Sequence, residues 1–158
     1  MTGFFDYDGA QPGEAAPDDL DVVLSGLDEQ DWNQIHKHAE IRRYAPGDVV
    51  IEEGDTNRDL FIVLSGEVSA SLRLGRLGTR RTRTPMRAGA VFGEVGFFAG
   101  GRRTASIVAE SDTELLRLHF EQFQHLAAQD PALAQRIVFD LGRVLAGRLL
   151  RAERSGGR

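Results

Sequence analysis

A chain of 158 residues without cysteine suits one domain with an ordinary hydrophobic core, and it excludes a disulfide framework or a cysteine-based metal site. Its 24 acidic and 19 basic side chains leave a net charge of −5, which argues against a general nucleic-acid binder or a polybasic membrane binder. The charge is uneven: residues 1–40 hold ten acids and one base, Lys37, a balance of −9, whereas residues 41–158 hold fourteen acids and eighteen arginines, a balance of +4.

Residues 1–19 are acidic and rich in Gly, Pro and Ala, the composition of a loose tail, with Phe4, Phe5 and Tyr7 as its aromatic residues. They contain neither a basic n-region nor an apolar h-region, and no run in the chain approaches the roughly 18 apolar residues of a membrane span, so the expected location is cytoplasmic. Residues 20–39 read as helical: Leu20, Val23, Leu24, Leu27, Trp32 and Ile35 recur at near-helical spacing, interrupted at Ser25 and Gly26. Asp28 followed by Asp31 forms an N-cap with acids in the first turn.

The texture changes over residues 41–118. Short, β-branched apolar runs at 49–51, 60–64, 68–74, 90–92, 105–109 and 114–118 are separated by glycine-containing turns, and ten of the eighteen glycines fall between 47 and 101. Closely spaced short strands with frequent turns predict a sandwich or barrel. Helix returns after 118. Phe120, Phe123 and Leu126 give a short amphipathic segment, and Asp130 with Pro131 supplies an N-cap and a proline at the first helical position. Leu133, Ile137, Val138, Leu141, Val144, Leu145 and Leu149 then form one apolar stripe over some twenty residues. Gly142 and Gly147 each weaken that helix by about 1 kcal/mol relative to alanine, which suits a segment that bends or repacks.

One stretch has the character of a site. A strand ends at Phe92, Gly93 permits a turn and a close ligand approach, and residues 94–98 can form a single helical turn whose free N–H groups suit an anion. Arg103, just past Gly100 and Gly101, can return a planar, permanently charged fork to the same anion. A phosphate would repel Glu94, whereas sugar hydroxyls would donate to it, so the pair describes a nucleotide.

These residues resemble the phosphate-binding cassette of cyclic-nucleotide-binding domains: Phe92-Gly93-Glu94-Val95-Gly96, a short loop, then Arg103-Thr104-Ala105. Pro46-Gly47-Asp48, Glu53-Gly54-Asp55 and Phe61-Ile62-Val63-Leu64-Ser65-Gly66-Glu67-Val68 match the family's early strand signature in order and spacing, so the resemblance covers about residues 27–150. It implies a mainly β fold with flanking helices: an eight-stranded β-roll, a jelly-roll-like double-stranded β-helix, with an N-terminal helical segment and two C-terminal helices. The implied division is a tail at 1–19, a domain at 20–153 (helices to 40, roll at 41–118, helices from 119) and a frayed end at 154–158. The implied ligand is cAMP or cGMP, held by Gly93, Glu94, Val95, Gly96, Arg103, Thr104 and Ala105. Glu94 would take the ribose 2′-OH, and Arg103 the cyclic phosphate with the backbone amides of Gly96 and Thr104. Leu141, Val144, Leu145 and Leu149 would form a lid over the base. A threonine after the arginine is associated in this family with tolerance of cGMP, so Thr104 leaves the choice of base open.

Plainer readings stand beside these. Glu94 and Arg103 also fit a surface ion pair, and the fold also fits a module whose pocket has degenerated into a structural or oligomerisation role. His36, His38 and Glu40 invite a cupin-like metal reading, but His36 and His38 sit at i and i+2, and Arg42 and Arg43 occupy the place of the ligating glutamate, so no metal site is expected. Arg73, Arg76, Arg80, Arg81, Arg83 and Arg87 read as a solvated basic hairpin, and His119 and His125 as helix-surface or packing residues. Arg102 to Ser106 also looks like a basophilic kinase target. No nucleophile–histidine–acid pattern or phosphate-binding P-loop appears, so no catalytic residue and no cofactor is expected. The preferred reading is a stand-alone cyclic-nucleotide sensor that dimerises through its C-terminal helix and acts on a partner in trans. A catabolite-activator-type transcription regulator would need a further DNA-reading domain after the long helix, so no direct nucleic-acid contact is expected.

Overall fold

Eight short strands pair into two antiparallel four-stranded sheets. The computed structural model describes residues 24, 26–74 and 79–156, with side chains described outside 72–84; the acidic segment 1–19, Leu20, Val23, Ser25 and Arg76 lie outside the described residues. The chain divides into two compact units, one of them spanning Ala39–Phe120 and the other formed by the helical segments of both ends.

The strand unit contains β1 (Glu40–Tyr44), β2 (Val49–Ile51), β3 (Leu60–Ser65), β4 (Glu67–Leu74), β5 (Thr79–Arg87), β6 (Val91–Phe92), the short helix α2 (Glu94–Ala99), β7 (Ser106–Ala109) and β8 (Thr113–Leu118). One sheet has the order β1-β8-β3-β6 and the other β2-β7-β4-β5. Inward side chains of both sheets meet in one core: Phe61, Val63, Phe92 and Leu115 from the first, and Ile51, Val68 and Ile107 from the second. Phe61 and Phe92 are direct cross-strand partners, and their rings stack with centroids 5.0 Å apart. The expected β-roll is therefore present. The basic hairpin is the pair of β4 and β5, whereas β1 (Glu40–Tyr44) escapes the sequence reading; β1 and β5 are both sheet edges and rich in charged residues.

The helical unit contains α1 (Glu29–His38), α3 (Phe120–Gln129) and α4 (Pro131–Gly156), α3 beginning at the last residue of the strand unit. α1 begins just after the cap expected at Asp28. Leu24 is buried with a left-handed φ of 69°, and a turn follows at Gly26, so Leu24 and Leu27 precede the helix. The cap at Asp28 is reciprocal: the Asp31 amide donates to Asp28 Oδ1 at 2.9 Å, and the Asp28 amide donates to Asp31 Oδ2 at 3.2 Å. Asp130 caps α4 by accepting from the Leu133 amide at 3.0 Å. α4 runs 26 residues without interruption, through Gly142 and Gly147 and through Ser155 and Gly156, so the end expected to fray from 154 is helical as far as 156. Its buried residues Leu133, Ala134, Ile137, Leu141, Val144 and Gly147 recur mostly every three or four positions.

Arg136 of α4 grips Asp31 of α1 with two 2.7 Å hydrogen bonds, a fork-to-fork pair that ties the two ends of the chain together. This contact holds the Asp31 carboxyl below its usual range; burial opposes the shift, and the Asp28 amide adds to it. A carboxyl whose folded pKa is depressed stabilises the fold above its unfolded pKa of about 3.9, and that contribution disappears as pH falls through the folded value. Asp31→Asn is expected to lower Tm at neutral pH, at about 2–4 °C per kcal/mol lost for a chain of this size. Thermal unfolding followed from pH 7 downwards checks this: the gap between wild type and variant should hold to about pH 4 and then close.

Candidate functional site

The site is assembled by the connection between β6 and β7 and by the loop between β2 and β3. Gly93 caps α2 in the left-handed region, with φ 82° and ψ 6°. A Cβ on it would lie 2.7 Å from the carbonyl oxygen of Asp59, so glycine is required both by the turn and by the neighbouring loop. α2 is little more than one turn: Phe97 N–H donates to Gly93 O and Gly100 N–H to Gly96 O, each at 3.0 Å. The first amides of such a turn have no acceptor within the helix.

Arg103 enters from the far side of the same connection. Its backbone is fixed twice by the turn at Gly54 and Asp55: Gly54 N–H donates to Arg103 O at 2.8 Å, and Arg103 N–H donates to Asp55 O at 2.7 Å. Two motifs read separately in the sequence are thus one structural unit. The guanidinium is buried, and it donates to Gly93 O at 2.8 Å through Nη1, and to Asn57 Oδ1 at 2.8 Å and Asp59 O at 2.6 Å through Nη2. Its Nε is also buried and has no hydrogen-bond partner among the described residues. Burial lowers the guanidinium's proton affinity, and the carboxylates of Asp59, Glu94 and Asp55 oppose that effect. Arginine keeps its charge in any such setting, so the result is a buried cation whose Nε donor is unspent.

Gly96 has a purpose the sequence does not disclose. A Cβ there would lie 2.5 Å from Arg103 Nη1 and 3.0 Å from its Cζ, so the guanidinium lies against bare backbone. Glu94 is buried beside it, each of the two residues being 6% exposed, which removes the surface-ion-pair reading. Val95 and Thr104 are exposed, and Ala105 is partly buried. Of the expected lid residues, Leu141 and Val144 are buried, Leu145 is partly buried and Leu149 is exposed.

Three residues that sequence reasoning passes over organise the site: Asn57, Arg58 and Asp59. Asn57 and Asp59 hold Arg103, as above. The Asp59 carboxylate is itself pinned, accepting from Arg117 Nε at 3.0 Å and lying 2.5 Å from His119 Nδ1. His119, read as a helix-surface or packing residue, instead leads from β8 into α3 as the partner of a buried carboxylate. A run of three polar residues just before a strongly apolar strand is the available signal, but it does not say what those residues bind.

The remaining candidates are placed elsewhere. His36 lies beside Trp32, His38 Nε2 is 3.2 Å from Gln129 Oε1, and Glu40 Oε1 is 3.9 Å from His119 Nε2. Among the described residues no group of three His, Asp or Glu side chains is gathered as a metal site. Ser106 of the kinase-like motif sits in β7 and accepts the Glu53 amide at 2.9 Å. Of the basic hairpin, Arg87 pairs with Glu67 at 2.9 Å. No described helix is long and apolar enough to cross a membrane.

A family model described as "Cyclic nucleotide-binding domain" matches residues 41–130. The cyclic AMP receptor protein of Thermus thermophilus is 33% identical over 138 residues, which cover 87% of this chain and 56% of that protein. A cAMP-dependent protein kinase regulatory subunit of Hypocrea atroviridis is 31% identical over 114 residues, 72% of this chain and 23% of that one. The human cyclic nucleotide-gated channel beta-3 is 34% identical over 105 residues, 65% of this chain and 12% of the channel. The chain thus spans little more than half the length of one of these relatives and a small part of the other two. Among solved structures, Thermus thermophilus catabolite activator protein superposes with a TM-score of 0.72 at 32% identity, over 83% of this chain and 59% of that one.

The demands on Gly93 are directly testable. Gly93→Ala forces a side chain into the left-handed region and against the Asp59 carbonyl, so it is expected to cost at least about 1–3 kcal/mol of unfolding free energy. Urea denaturation of wild type and variant measures this; an unchanged midpoint would contradict the packing described.

Proposed function

Because the chain belongs to the cyclic nucleotide-binding domain family, we propose that it binds a cyclic nucleotide at Arg103 and acts as a regulatory sensor rather than a catalyst. The observation that carries this reading is the unpartnered, buried Nε of Arg103 beside the first turn of α2. A buried cation retains an unsatisfied donor at a cost of about 1–3 kcal/mol or more, which an anion accepting from it removes. The cyclic phosphodiester supplies a single charge. In this reading Arg103 and the amides of Gly96 and Thr104 hold the phosphate, Glu94 accepts from the ribose 2′-OH, and Gly93, Val95 and Ala105 shape the cradle. Thr104, exposed beside Arg103, has a hydroxyl that can accept from a guanine amino group, so both cAMP and cGMP are candidates.

Signalling follows from differential affinity. A ligand shifts a two-state equilibrium only by as much as it prefers one state, so nucleotide binding must favour one packing of α4 over another. The relatives are a receptor protein, a kinase regulatory subunit and a channel, and each sets this kind of domain within a longer regulated protein. We infer that the output here is exerted on a partner, and the catabolite-activator relatives keep a regulator of that type as the second reading.

Calorimetry with cAMP and cGMP tests the site. Wild type is expected to bind, and Arg103→Ala to lose affinity by about thirtyfold or more, the cost of removing one partner of a buried charged hydrogen bond. Gly96→Ala should keep the fold and also weaken binding, because its Cβ displaces the guanidinium. No binding to wild type at millimolar nucleotide, or undiminished binding by Arg103→Ala, would overturn the assignment.

A homodimer through α4 is the second part of the reading. Phe139, Gly142, Ala146 and Leu149 are all exposed and follow one another at spacings of three, four and three, the seam of a two-helix coiled coil. Ala132, also exposed, lies one heptad before Phe139 on the same seam. Light scattering after size exclusion should give a dimer mass for wild type and a monomer for Phe139→Glu.

A further inference from the structure

Arg58 lies between the two residues that hold Arg103, and its own guanidinium is directed to the end of α2. It donates to Phe97 O through Nε at 3.1 Å and through Nη2 at 2.7 Å, and to Phe98 O through Nη2 at 3.1 Å. These carbonyls belong to the last turn of α2, which lacks donors of its own and contains no basic residue. Arg58 therefore caps α2 from a different segment and places a cation at the negative end of its dipole. The same guanidinium lies over the Phe120 ring, with Cζ 3.5 Å from the centroid. Phe120 packs edge-on against Phe97 at 5.4 Å, and it is the first residue of α3.

The flanking residues are the ones that hold Arg103. Asn57 Oδ1 and Asp59 O both accept from its Nη2, and Arg117 and His119 lock the Asp59 side chain. Residues 57 and 59 thus bind the candidate phosphate arginine on either side of a residue that binds the end of α2 and the start of α3. A displacement of Arg103 towards an anion changes its bonds to Asn57 Oδ1 and Asp59 O, the two oxygens on either side of Arg58.

We propose that Arg58 is a positioning residue for nucleotide binding: it holds the end of α2 in the register that the Arg103-bound phosphate requires, and it transmits occupancy of that site to Phe120. The inference rests on the cyclic-nucleotide reading given above. A planar fork is needed, because one group must donate to two carbonyls while stacking on a ring, which a lysine ammonium cannot do.

The test uses the 158-residue chain with isotope labelling, read by calorimetry and by amide and aromatic chemical shifts with cAMP and cGMP. Saturating nucleotide is expected to shift the signals of Phe97, Phe98 and Phe120 in wild type. Arg58→Ala should bind about tenfold more weakly, and at saturation its Phe120 signals should stay near their unliganded positions while the Arg103 side-chain signal still responds. Arg58→Lys keeps the charge and loses the fork; it supplies the same readout if the alanine variant does not fold, and its expected Phe120 response is likewise lost. A purely structural role would weaken affinity or stability and leave the Phe120 response at saturation intact, and that result overturns the proposal. Absence of binding to wild type overturns the underlying functional reading and this proposal with it, whereas normal binding and a normal Phe120 response in Arg58→Lys overturn the proposal alone.

Discussion

A permanent cation placed out of water is the constraint around which the strand unit is arranged. Moving a guanidinium into a protein interior costs several kcal/mol unless hydrogen bonds and opposite charges compensate. Arg103 meets that cost through the Gly93 carbonyl and the Asn57 and Asp59 oxygens, while double backbone pairing with Gly54 and Asp55 fixes where its side chain starts. The requirements propagate outwards. Position 93 must lack a Cβ because Asp59 O comes so close, position 96 must lack one because the guanidinium lies on it, and Asp59 must be held still by Arg117 and His119.

How much of this a sequence can reveal depends on whether the signal is local. The inner strands β3 (Leu60–Ser65) and β8 (Thr113–Leu118) bury most of their residues, so their apolar runs announce them. The caps at Asp28 and Asp130 are equally local, because a cap is satisfied within four residues. β1 (Glu40–Tyr44) and β5 (Thr79–Arg87) are strands because a neighbour's backbone makes them so, and their sequences, with Arg42 and Arg43 in one and Arg81 and Arg83 in the other, carry no apolar alternation to detect. Pro85 even argues against a strand, yet it is tolerated where one side of the ladder is unpaired.

The site divides along the same line. Gly93, Glu94 and Arg103 stand out because a glycine, an acid and an arginine follow a strand at close spacing, and a family resemblance makes that pattern specific. Asn57, Arg58 and Asp59 are ordinary loop residues until the fold brings Arg103, Phe97 and Phe120 to them from 39 to 62 positions further along the chain. Even the reason for Gly96 is tertiary: the residue is helical and needs no special φ, so only the neighbouring guanidinium explains it. The overall charge of −5 misleads for a related reason, since it averages an acidic N-terminal stretch with a strand unit whose central charge is a buried arginine.

α4 (Pro131–Gly156) shows the limit of propensity arguments in the opposite direction. Gly142 and Gly147 together cost about 2 kcal/mol of helix propensity, which favours a bend, and the helix nevertheless continues through both. Propensity is a weak prior beside packing, and the large residues of its inner stripe each recover apolar burial on the scale of about 1.5–3 kcal/mol. The two glycines then serve different surfaces. Gly147 lies on the buried stripe, and Gly142 is exposed together with Phe139 and Leu149. A helix with one apolar stripe covered and a second in water is stable as an element yet incompletely satisfied as a surface. Its free energy therefore depends on what covers the second stripe, and a ligand that alters its packing alters that dependence by linkage.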